Sequence, residues 1–111
     1  MRENQERLLD MLEAIGKIEQ HVNRESKYED FAQDELIEVW VIHHLQIIGE
    51  AASKLSSEFR DLYPEVAWGK MIGMRHVLVH GYFETDSEIV WEVVERDLPI
   101  LKEQLVKILG I

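Results

Sequence analysis

The sequence predicts an all-α fold, an antiparallel bundle of four to five helices that forms a single domain over residues 1–111. Apolar residues recur every three or four positions over long segments, which is the spacing of an amphipathic helix. No segment alternates polar and apolar residues as a strand does, and the breaks between segments carry proline, glycine or polar residues. A chain of 111 residues is long enough to bury one hydrophobic core.

The first two predicted helices account for the first half of the chain. Helix one runs from about Arg2 to Arg24, where an apolar stripe faces a charged one. The polar segment ESKYEDFAQD predicts a break, and helix two follows from Asp30 or Asp34 to Arg60. The middle of helix two, LIEVWVIHHLQIIGEAASKL, is apolar on nearly every side. Such a helix belongs at the centre of a bundle or in a subunit interface, so we expect a homodimer or a higher even oligomer.

The second half of the chain predicts two more helices. Pro64 ends the preceding segment, and a third helix is expected over Trp68–His80. Gly81 suits a left-handed C-cap, and TDSE has the spacing of a capping box that opens a fourth helix over Ser87–Leu109. Pro99 predicts a bend or break just before it, because proline lacks the backbone N–H that a helix interior uses.

Composition excludes several classes of protein. The formal net charge of −10, from 12 basic and 22 acidic residues, disfavours a protein that coats nucleic acid through its whole surface. The absence of cysteine excludes disulfides and thiolate metal sites, and it suits the cytoplasmic location that we expect. The first twenty residues are charged and amphipathic, so we expect no signal peptide. No apolar run reaches membrane-spanning length.

The acidic residues are unevenly distributed along the chain. The 18 residues of Val66–Phe83 contain no aspartate or glutamate, although an even spread would place about three or four there. The same window holds Lys70, Arg75, His76 and His80. An anion would meet the least repulsion in this window. The lack of acids also fits a buried helix with no room for carboxylates.

Within this window, the stretch MRHVLVHGYF combines residues that suit phosphodiester chemistry. A histidine such as His80 moves protons near neutral pH, and an arginine such as Arg75 stabilises charge on a phosphate. RNA supplies its own 2′-OH nucleophile, so this chemistry needs neither a metal nor a cofactor. As a bare spacing, the pair also fits an arginine salt-bridged to an acidic face and a histidine at a helix C-terminus. His76 and His80 share a helix face but have no third ligand nearby in sequence, so we expect no metal site.

Two other features bear on this candidate site. Glu50 is an acid in an otherwise apolar segment, so it is either buried with a partner such as Arg75 or exposed to solvent. Trp40, Trp68 and Trp91 lie in different predicted helices, which favours core or interface aromatics over a base-stacking platform.

The stretch MRHVLVHGYF resembles the motif of HepT-like toxins in the HEPN (higher eukaryotes and prokaryotes nucleotide-binding) superfamily: an arginine, four residues, a histidine, one residue and a tyrosine. Three further segments agree with that family in order and spacing: IIGEAASKLS, YPEVAWGKMIGMRH and VWEVVERDLPILKEQL. The resemblance covers about Phe31 to Leu105. Two positions differ from the family, which usually has asparagine at His76 and often an acid at Gly81.

The resemblance implies a HEPN-like helical dimer whose two motifs face each other across a cleft and form a composite, metal-independent ribonuclease site. It assigns Arg75 and His80 as the catalytic pair. It assigns Tyr82 to substrate positioning and to accepting AMP from a minimal nucleotidyltransferase antitoxin, which silences the toxin. His76, Glu50 and Lys70 are candidate supporting residues.

Two other functions fit the same sequence. One is a non-catalytic subunit that binds a nucleotide or docks a nucleotidyltransferase, since an acidic surface would attract a basic partner. The other is a structural helical dimer in which the motif arose by chance. Growth arrest on expression that is lost with His80→Ala would favour the ribonuclease.

Overall fold

The computed structural model describes the backbone of residues 2–80 and 87–111, and the side chains of residues 3–74 and 87–111. All regular structure in these ranges is helical, which confirms the predicted fold class. The α-helices are α1 (Arg2–Glu19), α2 (Tyr28–Gln33), α3 (Glu35–Ser53), α4 (Ser57–Leu62), α5 (Trp68–His80), α6 (Ser87–Glu92) and α7 (Leu98–Leu109), and a π-helical segment, Val93–Asp97, joins α6 to α7. Gly81 and most of the predicted capping box lie outside the described residues.

Helix α3 lies at the centre of the bundle, with α1 and α5 packed against it. Two hydrogen bonds show that α1 and α3 run antiparallel. The amide of Asn4 contacts Ser56 just beyond the end of α3, at 3.3 Å, and the indole N–H of Trp40 near its start donates to the carbonyl of Lys17, at 3.0 Å. The fully buried side chains come from α1, α3, α6 and α7, and include Leu8, Met11, Ile15, Ile18, Val41, Leu45, Ile48, Val90 and Leu105. None of the described helices is long and apolar enough to cross a membrane.

Helix α1 ends earlier than predicted, at Glu19 instead of Arg24. The carbonyl of Lys17 in its last turn accepts a hydrogen bond from Trp40, so α3 occupies that end of the helix. The chain then turns at Asn23, whose side-chain oxygen accepts from the backbone N–H of Glu25 at 3.0 Å. Asparagine favours such local turns over helix, and this preference overrides the apolar periodicity.

The predicted second helix begins at Asp34, the later of its two predicted starts, but it is interrupted before Ser56, so the prediction of one continuous helix up to Arg60 was wrong. Each residue has extended backbone and caps the helix that follows, accepting from Ile37 N–H and Phe59 N–H respectively, both at 3.1 Å. Both residue types are strong N-caps, so each begins a new helix. The polar segment that was predicted as a break also contains the short helix α2, which is anchored by the buried side chain of Phe31.

The last helix begins at Ser87 and ends at Leu109, as predicted, but it does not break before Pro99. Instead, the backbone N–H of Leu98 donates to the carbonyl of Val93, five residues back, in the π-helical segment. A proline ring clashes with the carbonyl four residues before it in a regular α-helix. The wider π turn relieves that clash and lets the helix continue.

Asn4 is the polar side chain that fastens the start of α1 to the α3–α4 junction. It is 6% exposed, and its side-chain oxygen accepts from the backbone N–H of Ser56 at 3.2 Å. We expect Asn4→Ala to lower the free energy of unfolding by about 1–3 kcal/mol, because it removes both side-chain hydrogen bonds between Asn4 and Ser56. Urea denaturation measures the change. The exposed neighbour Gln5 is the control, and a loss as large for Gln5→Ala would contradict this role for Asn4.

Candidate active site

Helix α5 carries most of the predicted catalytic motif. Its backbone is continuous from Trp68 to His80, as the sequence predicts, so Arg75, His76 and His80 occupy the second half of one helix. Their side chains lie outside the described part of the structure, and so does Tyr82. The structure therefore establishes the register of the three helical positions.

Helical register places the two predicted catalytic positions on different sides of α5. Trp68 and Met71 are buried, and position 75 follows Trp68 by seven residues, so positions 68 and 75 share one side of the helix. Position 80 lies about 140° further round the helix axis. The predicted angular separation of Arg75 and His80 therefore holds for the observed helix.

The other side of α5 carries two glycines in line with the histidine positions. Gly69, Gly73, His76 and His80 are spaced four, three and four residues apart, which places them on one stripe of the helix. A methyl group added at Gly69 or Gly73 would meet no atom within 4 Å. The helix backbone is therefore open to close approach along the stripe that leads to the histidine positions.

Lys70 is held at the opposite end of α5 from His80. Its ammonium nitrogen lies 2.9 Å from the carboxylate of Asp97 in the π-helical segment. Nearby, the side-chain amide of Gln104 donates to the carbonyl of Glu65 just before α5, at 3.1 Å. Ten residues of helix separate Lys70 and His80 by about 15 Å along the axis. The structure thus does not bring Lys70 to the motif, and an acid from elsewhere in the chain neutralises it.

A double-mutant cycle measures how strongly this ion pair fixes α5. We expect Lys70→Ala and Asp97→Asn to show a coupling free energy of up to about 1 kcal/mol, because the lysine is 57% exposed and its charge is partly screened. The measurement is urea denaturation of the wild type, both single variants and the double variant. Additive effects would mean that the two side chains do not interact in solution.

Glu50 is exposed and pairs with Lys54 one turn along α3, at 3.2 Å. The solvent-facing interpretation of this acid is therefore confirmed, and the buried one is wrong. His44 on the same helix is 7% exposed, and its Nδ1 lies 2.8 Å from the carbonyl of Trp40, to which it donates. Among the described residues, no three histidine, aspartate or glutamate side chains come together as a metal site.

An exposed stripe on α3, which comprises Leu36, Val39, His43 and Glu50, is a feature that sequence reasoning did not resolve residue by residue. Leu36 is 84% exposed and Val39 is 43% exposed, although both are large and apolar. The sequence showed only that α3 is apolar nearly all round, without showing which apolar residues face outward. The structure assigns that role to the first half of the helix.

The apolar half of this stripe lies beside the start of α6. The hydroxyl of Ser87 donates to the carboxylate of Glu38 at 2.7 Å, and Glu38 is adjacent in sequence to Val39. Ser87 follows His80 by seven residues, so the chain returns to α3 soon after the motif. The exposed apolar side chains thus lie on the helix that the motif-flanking segment contacts.

Comparison with known proteins identifies the family. The family model described as "Ribonuclease HepT-like" matches residues 11–108. The chain belongs to the HepT-like ribonuclease family. Ribonuclease chemistry is thus the activity class of its family, and the resemblance noted from the motif is confirmed.

The HepT-like chain has relatives that match it over most of their length. It is 39% identical over 107 residues to "Probable ribonuclease HepT" of Thermococcus cleftensis, covering 96% of each chain. It is 34% identical over 98 residues to "Putative RNase MJ1380" of Methanocaldococcus jannaschii, covering 88% of this chain and 89% of the relative. No solved structure matches it.

Proposed function

We propose that this protein is a metal-independent endoribonuclease, the toxin of a toxin–antitoxin pair, and that it acts in the cytoplasm. His80 serves as general acid and base for attack by the RNA 2′-OH, and Arg75 stabilises the charge that develops on the phosphate. Tyr82 positions the RNA, and His76 supports the proton transfer.

One observation carries this proposal: the Arg75–His80 motif lies on a single helix, inside an 18-residue stretch free of acids, in a chain of the HepT-like ribonuclease family. Phosphate binding requires local positive charge when the whole chain carries −10. Lys70 is already paired with Asp97, so Arg75 is left as the principal cation for the phosphate. Lys70 supports the site indirectly, by holding the opposite end of α5.

We propose that two copies pair through the exposed stripe on α3 and form a composite site. Leu36 and Val39 expose apolar surface that a partner copy would cover, which favours association through the hydrophobic effect. His43 and Glu50 lie on the same stripe, so an antiparallel pairing of two α3 helices brings these polar side chains to the edge of the interface. Glu50 contributes to the site through this interface.

The partner that controls the toxin is a minimal nucleotidyltransferase antitoxin, which adds AMP to Tyr82. An adenylyl group there would put bulk and negative charge where an RNA phosphate must bind. The acidic surface of the toxin would steer a basic partner toward it. Intact-mass measurement of toxin co-expressed with the neighbouring nucleotidyltransferase, beside Tyr82→Phe, tests this part of the proposal.

RNA cleavage in excess EDTA tests the proposed reaction. Purified protein, shown by intact mass to be free of AMP, is incubated with a mixed RNA and with the same sequence carrying 2′-deoxy nucleotides. Cleavage of the RNA alone, with 2′,3′-cyclic phosphate ends, is the expected result. Absence of cleavage would favour the non-catalytic, nucleotidyltransferase-binding subunit, which the charge of −10 also suits.

A further inference from the structure

A concave surface, here called the π cleft, is formed by residues outside the motif. It is formed by residues 18–26, at the end of α1 and the turn after it, and by residues 91–102 around the π-helical segment. Its volume of about 790 Å³ falls within the range of ligand-binding clefts. The apolar part of its wall consists of Ile18, Val22, Trp91, Val94, Leu98 and Pro99.

Trp91 lines this cleft, and its indole N–H has no hydrogen-bond acceptor among the described residues. Its ring packs against Phe31 and Tyr28, with centroid separations of 5.4 and 6.0 Å, which fixes the indole in place. Within the described ranges, Trp40 and Trp68 donate their indole N–H groups to backbone carbonyls, whereas that of Trp91 has no acceptor. A half-buried indole N–H normally finds a partner, so a ligand with an acceptor would gain by binding here.

The π-helical segment also leaves a backbone acceptor without its helical donor. In an α-helix, the carbonyl of Val94 would accept from the N–H of Leu98, but this N–H is bonded to Val93 instead. In a continued π-helix the donor would be residue 99, and Pro99 has no N–H. Both helical partners of the Val94 carbonyl are therefore lost, and Val94 itself lines the cleft. Such a group needs a donor from outside the helix.

Charge at the rim of the cleft favours a basic occupant. Glu19 is bound by the ammonium of Lys102 at 2.9 and 3.2 Å, so these two charges cancel. Glu25, Glu95 and Arg24 remain at the rim, which leaves more acidic than basic charge in a chain of −10. A basic partner is therefore attracted both locally and by the whole molecule.

We propose that the π cleft binds a basic amphipathic segment of a partner protein. An apolar side chain of that segment packs against Trp91, Val22 and Leu98. A peptide carbonyl accepts from the indole of Trp91, and a lysine or arginine donates to the carbonyl of Val94 and to the carboxylate of Glu95. A single protein segment can supply the apolar side chain, the peptide carbonyl and the basic side chain together. This site is independent of the ribonuclease motif.

A synthetic amphipathic helical peptide built only of leucine and lysine is the probe, and its counterpart with glutamate in place of lysine is the charge control. Binding to the full-length protein is followed through the ¹⁵N–¹H resonance of the Trp91 indole, assigned with Trp91→Phe, and affinities are measured by calorimetry. The expected result is that the lysine peptide shifts this resonance and that the glutamate peptide does not. No binding, or binding that leaves the Trp91 resonance unmoved, would overturn the proposal.

Two charge-reversal variants distinguish binding of the peptide in the cleft from non-specific attraction of the peptide to an acidic protein. We expect Glu95→Lys to weaken binding of the lysine peptide by about tenfold or more, and Glu103→Lys, at an exposed position outside the cleft, by about twofold or less. Trp91→Phe keeps most of the ring and removes the donor, so a loss of about fivefold is expected. Equal losses for Glu95→Lys and Glu103→Lys would show that the peptide binds through net charge alone.

Discussion

His80→Ala is expected to lower the rate of RNA cleavage by about 10²–10⁴-fold, the usual effect of removing a general acid–base group. The helix should persist, because alanine is the best helix former and position 80 ends α5. The measurement is a single-turnover cleavage rate in EDTA, beside far-ultraviolet circular dichroism of both proteins. His80→Gln is a second variant, which keeps hydrogen bonding and removes proton transfer.

The matched control for this prediction is His21→Ala. His21 is also exposed, but it lies in the turn after α1, outside the motif and outside the exposed stripe on α3. It should change the chemical rate by about twofold or less. A folded His80→Ala protein that cleaves at the wild-type rate would remove His80 from the mechanism and leave the family motif without its proposed base.

If two copies pair as proposed, replacing both Leu36 and Val39 by aspartate is expected to leave the protein monomeric and to abolish cleavage at low protein concentration. Two buried like charges on each face oppose association, and the apolar area that drives it is lost. Because Leu36 is 84% exposed, the folded monomer should be little affected. Light scattering after size-exclusion chromatography gives the molar mass and hence the oligomeric state. RNA cleavage is measured over the same range of protein concentrations.

Leu62→Asp provides the matched control, since Leu62 is also large, apolar and 67% exposed but lies on α4. Leu62→Asp should leave both the molar mass measured by light scattering and the rate of RNA cleavage unchanged. A monomeric double variant with full activity would refute the composite site while leaving the ribonuclease assignment intact. A double variant that remains dimeric would move the interface to another surface.

The long helices of this fold were predictable because their signals are local and repeated. The bounds of α5, from Trp68 to His80, and the start of the last helix at Ser87 follow from proline, capping and periodicity. The start of α3 at Asp34 was one of the two predicted, whereas the break at Ser56 was missed, because an apolar periodicity that continues across a cap conceals it. In the structure, each cap outweighs the periodicity through a hydrogen bond to the N–H three residues later.

The candidate site was predictable in its residue types and less so in its surroundings. Arg75 and His80 stand at a spacing that the family motif defines, so their position on α5 could be stated in advance. The partner of Lys70 could not be predicted from the sequence, because Asp97 is distant in sequence and reaches Lys70 only through the packing of helices. The exposure of Leu36 depends likewise on which neighbours cover α3.

The π-helical segment also bears on how relatives of this chain can vary in length. A π turn accommodates one more residue than an α turn, so Val93–Asp97 is equivalent to a one-residue insertion into an α-helix. Elsewhere in a helix, a single deletion rotates every later side chain by about 100° and takes the apolar face out of the core. A homologue with one residue fewer here, and without Pro99, could form an unbroken α-helix and still bury the residues equivalent to Leu101 and Leu105. Indels between such proteins are therefore expected to concentrate at this turn.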